Sequence, residues 1–198
     1  MRHPQILLPL VFLGLCFVAC GKRASAARLE LAQMNIRYTE TDFINNAREG
    51  NSGAVRLFTD AGINLEARDR SGQTALMAAT LTNQFETVKL LLTNGSDPNA
   101  HDRYGGTALM TAAWNGNRDI ALALITAGAD LNARADSGMT ALMFAAWENH
   151  PEVSKLLLDK GADPSIKDKN GMTALMRADF KGHQEETDLL KEEKRESY

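Results

Sequence analysis

The 198-residue sequence contains only two cysteines and four histidines, and aromatic residues make up 6% of it. Two cysteines exclude a disulfide-dense scaffold and a four-cysteine zinc site. The net charge of −3 gives no overall electrostatic case for nucleic-acid binding. With 44% hydrophobic and 24% charged residues, the composition also excludes disorder throughout the chain. A folded domain remains, preceded by a leader.

The first twenty residues have the pattern of an export signal. Met1-Arg2-His3 is short and basic, and an uncharged, mostly apolar run follows from Ile6 to Ala19. Its 14 residues are fewer than the roughly 20 that a membrane span needs. A basic start, a short apolar run and small residues at its end are typical of a secretory signal. We therefore expect residues 1–19 to be a signal peptide.

The end of this run, Phe17-Val18-Ala19-Cys20-Gly21, resembles the signal of bacterial lipoproteins. In that family a Cys after a small residue is acylated, and cleavage frees its amine. The resemblance implies that Cys20 carries the lipid, palmitate included, and that Gly21 directs the protein to the outer membrane. Several acyl chains anchor firmly, since each buried CH₂ contributes about 0.8 kcal/mol. The alternative is an ordinary cleaved signal in which Cys20 is unmodified.

After the leader, the chain repeats with a period of 33 residues. Gly72, Gly105, Gly138 and Gly171 are 33 apart, as are Thr74, Thr107, Thr140 and Thr173, each followed by Ala-Leu-Met. We expect a lipid-anchored linker and N-terminal cap over residues 20–37, with a short helix at 26–34. The repeat domain follows at 38–191 and a charged tail at 192–198. The predicted units are 36–68, 69–101, 102–134, 135–167 and 168–198.

Each unit has the pattern of two short helices joined by turns. In the third unit, Thr107 is placed to cap a helix from Ala108 to about Asn115 by accepting a backbone N–H. A second apolar helix follows at about 119–126, and Gly128 lies just past its end, where a positive φ is favoured. Two short helices cannot bury their apolar faces alone, so the units must stack. The sequence predicts an all-α solenoid of about five helix-turn-helix units.

This pattern resembles the ankyrin repeat over about 160 residues. The motifs Asp-x-x-Gly-x-Thr, Ala-Leu, Ala-Ala, Leu-Leu-Leu and Gly-Ala-Asp-x-Asn recur in phase. Two departures are systematic. The family's Pro after Thr is Ala75, Ala108, Ala141 and Ala174, and its His is Met77, Met110, Met143 and Met176. A column of Met could form a copper-binding ladder, but we expect these side chains to fill gaps in the core.

The last unit is adapted to solvent at its outer helix. Glu186, Asp188 and Lys191 replace apolar residues there, and a charged segment ends the chain. Terminal repeats need a polar outer face. We interpret these residues as a cap, with a separate interaction role for the tail as the alternative.

The sequence offers no constellation of catalytic or metal-binding residues. His101, His150 and His183 lie in different parts of the repeat, without metal-ligand spacing. The turn residues Asp69, Asp102 and Asp168 follow the repeat and are expected to be structural. The segments 95–99 and 128–132 contain Asp and Asn but lack the distal Glu of a calcium loop. We expect no enzyme activity, cofactor, metal or small-molecule substrate.

One position after the Ala-Ala pair is occupied by large apolar residues that the scaffold does not require. With Leu109 at 0° and the Ala pair at either side of it, Trp114 lies at about 140°, away from the core stripe. The ankyrin resemblance implies that this position and the turn tips line a concave binding face. That face comprises Leu81, Trp114, Trp147 and Phe180, with Tyr104, Arg70, Arg103, Met139, Lys169 and Met172 from the turns. The alternative is that the Trp rings stack between units and seal the core.

The turn ridge is basic in a protein that is acidic overall. The last residues of the units are Arg68, His101, Arg134 and Lys167, and two positions on are Arg70, Arg103, Asp136 and Lys169. Complementary charge steers encounter, which favours an acidic partner. The alternative is a solvated loop edge without a binding role.

These observations predict a lipid-anchored ankyrin adaptor on the periplasmic face of a bacterial membrane. The resemblance to lipoprotein signals implies that this membrane is the outer membrane. It would bind a protein, not nucleic acid, because export separates it from nucleic acid. One alternative is an inhibitor or immunity protein that blocks an exported enzyme. Another is binding of anionic lipid or lipopolysaccharide through the basic ridge.

Overall fold

The computed structural model describes the backbone of residues 10–196 and the side chains of residues 21–192. Residues 1–9 of the predicted signal peptide lie outside the described residues, and the side chains of residues 10–20, Cys20 among them, lie outside the described side chains. Within the described range the chain forms eleven helices and no strand. The helices are α1 Leu10–Gln33, α2 Glu40–Arg48, α3 Ser52–Asp60, α4 Ala75–Leu81, α5 Phe85–Thr93, α6 Ala108–Trp114, α7 Arg118–Thr126, α8 Ala141–Glu148, α9 Pro151–Asp159, α10 Ala174–Lys181 and α11 Gln184–Glu196.

The helices after α1 pair into five hairpins that stack side by side. The first helices of the units, α2, α4, α6, α8 and α10, pack in one row, and the second helices pack in another. The Ala-Ala pairs of the first helices are completely buried, which lets neighbouring helices approach closely. Leu and Ile residues of the second helices fill the space between the two rows. The predicted all-α repeat solenoid is confirmed.

A threonine begins the first helix of units two to five. The hydroxyl of Thr107 accepts the backbone N–H of Met110 at 3.3 Å. Its equivalents Thr74, Thr140 and Thr173 make the same bond at 3.4, 3.4 and 3.3 Å. Each bond satisfies one of the N–H groups that a helix start leaves without a partner. The cap therefore forms in units that have Ala after the threonine.

The turns hold neighbouring units together through their backbone. Asp102 Oδ1 accepts the N–H groups of Tyr104 and Gly106, both at 2.8 Å, which shapes the tip. The carbonyl of Tyr104 then accepts the N–H of Asp136 in the next unit at 2.9 Å. Gly105 has φ +71°, and a Cβ there would lie 3.0 Å from the same nitrogen. Glycine at the tip is thus required both by its φ and by the next unit.

Three of the four repeat-phased methionines are in the core. Met77, Met110 and Met143 are buried, whereas Met176 is 49% exposed. The core-packing prediction is confirmed for the first three and wrong for Met176. Met176 lies in the fifth unit, and within the described part of the chain no further helix pair packs on its outer side.

The N-terminal segment is helical over more of its length than predicted. Helix α1 extends to Gln33 and packs against α3, with Ala27 and Leu31 buried. Among the described residues, no helix is both long and apolar enough to cross a membrane.

The expectation that Glu186 faces solvent is wrong. Its side chain is 0% exposed, whereas Asp188 and Lys191 are exposed as expected. Glu186 lies one period after Val153 and two after Ile120, both of which are buried. The inward orientation of this helical position therefore takes a carboxyl group into the core of α9 and α11.

Candidate partner-binding surface

A row of apolar side chains runs along the exposed side of the first helices, at or near their last residues. We call Leu81, Trp114, Trp147 and Phe180 the aromatic row. Trp114 is 45% exposed and Phe180 is 73% exposed, and Leu81 is also exposed. Trp147 is half-buried. The helical angle that separates this position from the Ala-Ala stripe keeps all four side chains out of the core.

The rings of the row also contact the neighbouring units. Trp114 meets Phe144 edge-on, with 5.8 Å between ring centroids. Trp147 stacks on Phe180 with 6.1 Å between centroids. Both arrangements are favourable geometries for aromatic pairs. The row is therefore packed between units while Trp114 and Phe180 keep large exposed faces. The sequence pattern did not identify Phe144 as part of this surface, although it lies one turn before Trp147 on the same helix.

Two cations of the fifth unit lie over Trp147. Arg177 Cζ is 5.1 Å and Lys181 Nζ is 4.7 Å from the ring centroid. The Arg177 guanidinium also donates to Asp168, whose side chain is fully buried. Burial alone would raise the pKa of Asp168, but hydrogen bonds from Arg177 and from the N–H groups of Met172 and Asn170 outweigh it and hold the pKa below its usual value. Arg177 and Lys181 were also missed, since their position near Trp147 depends on stacking.

The turn tips present three cations and one phenol. Arg70, Arg103, Tyr104 and Lys169 are exposed. Met172 is half-buried. Met139, which was predicted to contact a partner, is only 9% exposed and belongs to the core cluster, so its assignment to the surface is corrected.

The basic ridge is smaller than the sequence indicates. Arg68 donates to the carbonyls of Gly72 and His101. Arg134 makes the equivalent bonds to Gly138 and Lys167, the latter at 2.9 Å. Both side chains thus brace their own tip and the next one. Arg70, Arg103 and Lys169 form no ion pair with another described residue and remain oriented towards solvent.

The side chains that could suggest other chemistry serve contacts between units. Asn99 Oδ1 accepts the N–H of Asp130 at 2.7 Å, and Asn132 Oδ1 accepts that of Asp163 at 2.9 Å. A ring nitrogen of His150 lies 3.0 Å from the carbonyl of Trp114. Among residues with described side chains, no three His, Cys, Asp or Glu residues are grouped to hold a metal ion.

The ankyrin-repeat family model, written as three repeat copies, matches residues 43–135 and 109–197. The chain belongs to the ankyrin-repeat family. Ankyrin repeats are generally protein–protein interaction modules, and proteins built from them are typically non-enzymatic binding scaffolds. Comparison with curated proteins found no match.

Proposed function

We propose that this protein is a membrane-tethered adaptor that binds a protein partner with its aromatic row, on the periplasmic side of a bacterial membrane. The observation that carries the proposal is the exposure of Trp114 and Phe180 on a surface where the scaffold requires no large residue. Contiguous apolar patches on a folded domain mark interaction sites. Trp is also among the residues that most often dominate binding energy.

Within the row, Trp114 is the principal anchor. Trp147 is half-buried beneath Phe180, Arg177 and Lys181, so less of its surface is free for a partner. The exposed cations Arg70, Arg103 and Lys169 lie at the turn tips. They favour an acidic partner, because complementary charge raises the association rate and fixes orientation.

In this proposal an acylated Cys20 tethers the protein to the membrane. Its support is the lipoprotein-like sequence at residues 17–21, and the outer membrane follows from the same resemblance. Mass spectrometry of the N-terminal peptide of membrane-purified protein tests it directly. A peptide that begins at Cys20 and carries acyl mass supports the tether. An unmodified Cys20 contradicts it.

Partner binding is tested by capture from a membrane-and-periplasm extract, followed by affinity measurement with the captured protein. Trp114→Ala should weaken binding by about 2 kcal/mol or more, as for other hot-spot residues. Phe85→Ala is the matched control, because Phe85 is an exposed aromatic on the second-helix side. Equal affinity of the wild type and both variants would refute the surface assignment.

An inhibitor of an exported enzyme would use the same surface. An inhibitor differs from an adaptor in the outcome of the capture experiment, because the captured partner would then be an enzyme that loses activity on binding. Lipid binding through the basic ridge has weaker support, because Arg68 and Arg134 are engaged with backbone carbonyls.

A further inference from the structure

The segment between position 20 and the first unit is attached to the solenoid through most of its length. Arg23 donates to Asp60 at the end of α3 at 2.8 Å. Ala27 is buried one turn later, and Leu31 is 0% exposed. These three residues lie four apart and therefore on one face of α1. That face packs against the first unit from the third residue after Cys20 onward.

A second set of contacts fixes the orientation of α1. Arg28 Cζ lies 4.4 Å from the centroid of the Tyr38 ring, and an Arg28 nitrogen donates to the carbonyl of Ala61 at 3.4 Å. The Tyr38 hydroxyl donates to the same carbonyl at 2.9 Å. Tyr38 in turn stacks on Phe58 in the core of the first unit. The helix is therefore held both along its length and against rotation.

We infer that residues 21–33 are a rigid cap and that an anchored chain holds its first unit directly against the lipid surface. This inference rests on the lipid anchor of the proposed function. The occupant of this end of the solenoid is then a membrane surface, while the aromatic row and the fifth unit extend away from it. Position and orientation are set by α1, not by a loose tether.

A rigid cap and a flexible linker predict different distances between the anchor and the first unit. Six helical steps from residue 21 to Ala27 span about 9 Å, at 1.5 Å per residue. A flexible linker over residues 21–37 would instead have a root-mean-square span of about 20–25 Å and no preferred direction. Packed helix layers are about 8–10 Å apart, so with this end of the solenoid on the membrane and the stack directed away from it, the fourth unit would lie about 25–30 Å further from the membrane than the first.

The exposed charge of the cap suits an anionic lipid surface. Residues 21–33 contain three basic side chains, Lys22, Arg23 and Arg28, and one acidic side chain, Glu30. Lys22 is exposed next to the anchor, and Arg23 is 71% exposed although it pairs with Asp60. Basic residues close to an anionic membrane strengthen the attraction of a protein to it.

The test uses the full chain, matured and purified from membranes, in vesicles of phosphatidylethanolamine and phosphatidylglycerol that contain a headgroup quencher. Arg56→Cys places a fluorophore on α3 of the first unit, and Lys155→Cys places one at the equivalent exposed position of the fourth unit. In an anchored chain acylation blocks Cys20, so the new thiol is labelled alone. A third protein carries Arg56→Cys and a long Gly-Ser spacer between Gly21 and Lys22, which leaves the cap intact.

Strong quenching at position 56, little at 155, and loss of the difference on spacer insertion support the inference. Equal, weak quenching at both positions, unchanged by the spacer, overturns it and leaves the anchor standing. Failure of the protein to float with the vesicles overturns the anchor and the inference together.

Discussion

The ring of Phe180, in the fifth unit, stacks on Trp147 of the fourth, with 6.1 Å between centroids and 12° between ring planes. The sequence assigns both residues to partner binding, with stacking of the Trp rings between units as the alternative, and the structure shows that this pair joins two units. A position in a repeat can stabilise the stack and remain exposed, and the share of each role differs between Trp114 and Trp147.

This pairing predicts an energetic coupling between Trp147 and Phe180. Trp147→Ala and Phe180→Ala should each lower the free energy of unfolding, and the double variant should lose less than the sum by about 0.5–1.5 kcal/mol. Urea unfolding measures the cycle. A parallel cycle of Trp114→Ala with Phe180→Ala is the control, because Trp114 pairs with Phe144 instead. Additive losses in the first cycle would contradict the stacking.

The turn glycines provide a matched pair for the contacts between units. Gly138 and Gly171 have similar φ values of +81° and +75°. A Cβ at Gly138 would lie 2.9 Å from the Lys169 nitrogen, whereas one at Gly171 would meet no atom within 4 Å. Alanine at Gly171 should cost about 1–2 kcal/mol from the left-handed backbone alone. Alanine at Gly138 should cost clearly more, and equal losses in urea unfolding would argue against close stacking at the tips.

The sequence predicts the features that repeat in phase and depend on local geometry. The threonine caps, the tip glycines and the buried Ala-Ala pairs follow from the period of 33 and from helix and turn preferences. The brace made by Arg68 could not be predicted, because its acceptor at His101 lies in the next unit. Glu186 was misassigned because polarity alone does not reveal that its helical position points inward.

The ion pair of Arg177 with Asp168 should be the most stabilising salt bridge of the described chain. Both side chains are largely buried, so Arg177→Met leaves a carboxylate without its partner and should cost about 3 kcal/mol or more. Arg48→Met is the control. Its pair with Asp69 is more exposed and should be worth about 1 kcal/mol or less. Similar effects of the two substitutions in urea unfolding would refute this ranking.

The same pair predicts an acid dependence. The pKa of Asp168 is lower in the folded chain than in the unfolded chain, so the unfolded state binds more protons as the pH falls. The stability contributed by Asp168 is therefore complete above its unfolded pKa and is lost as the pH falls towards the folded pKa. Without the Arg177 guanidinium the folded pKa of Asp168 rises towards its unfolded value, so Arg177→Met should lose less stability between neutral and acid pH than the wild type does. Unfolding free energies measured against pH in wild type and variant test the shift.

Glu186 predicts the opposite dependence. Neither carboxyl oxygen has a hydrogen-bond partner among the described residues. Burial raises the pKa of Glu186, and the charges of Glu185 and Glu152 add to this rise. The nearby Ser154 hydroxyl and the charge of His183 lower the pKa, but they do not offset the rise. The folded state then binds more protons, so stability should fall as the pH rises from the ordinary carboxyl pKa to the raised value.

Replacing the carboxyl group tests this dependence. Glu186→Val restores the residue type found at Val153 and should raise the unfolding free energy at neutral pH, with a smaller loss between acid and neutral pH. Glu185→Val, at an exposed neighbour, should change neither by more than about 0.5 kcal/mol. A wild-type pH profile that Glu186→Val leaves unaltered would contradict the assignment.

The turn cations divide into structural and surface residues, which predicts two different phenotypes on neighbouring turns. Arg68→Ala removes donors to two carbonyls and should lower stability by about 1–3 kcal/mol, since it leaves acceptors at the tip without their partner. Arg103→Ala should leave stability within about 0.5 kcal/mol of the wild type, because Arg103 is exposed and unpaired in the described chain. With a captured acidic partner, Arg103→Ala should instead slow association and reduce its salt dependence, as expected for a charge that steers encounter. Stopped-flow association at low and high salt measures this effect. An unchanged association rate for Arg103→Ala would remove the tip cations from the binding surface. It would not affect the assignment of Trp114, which the Trp114→Ala affinity tests.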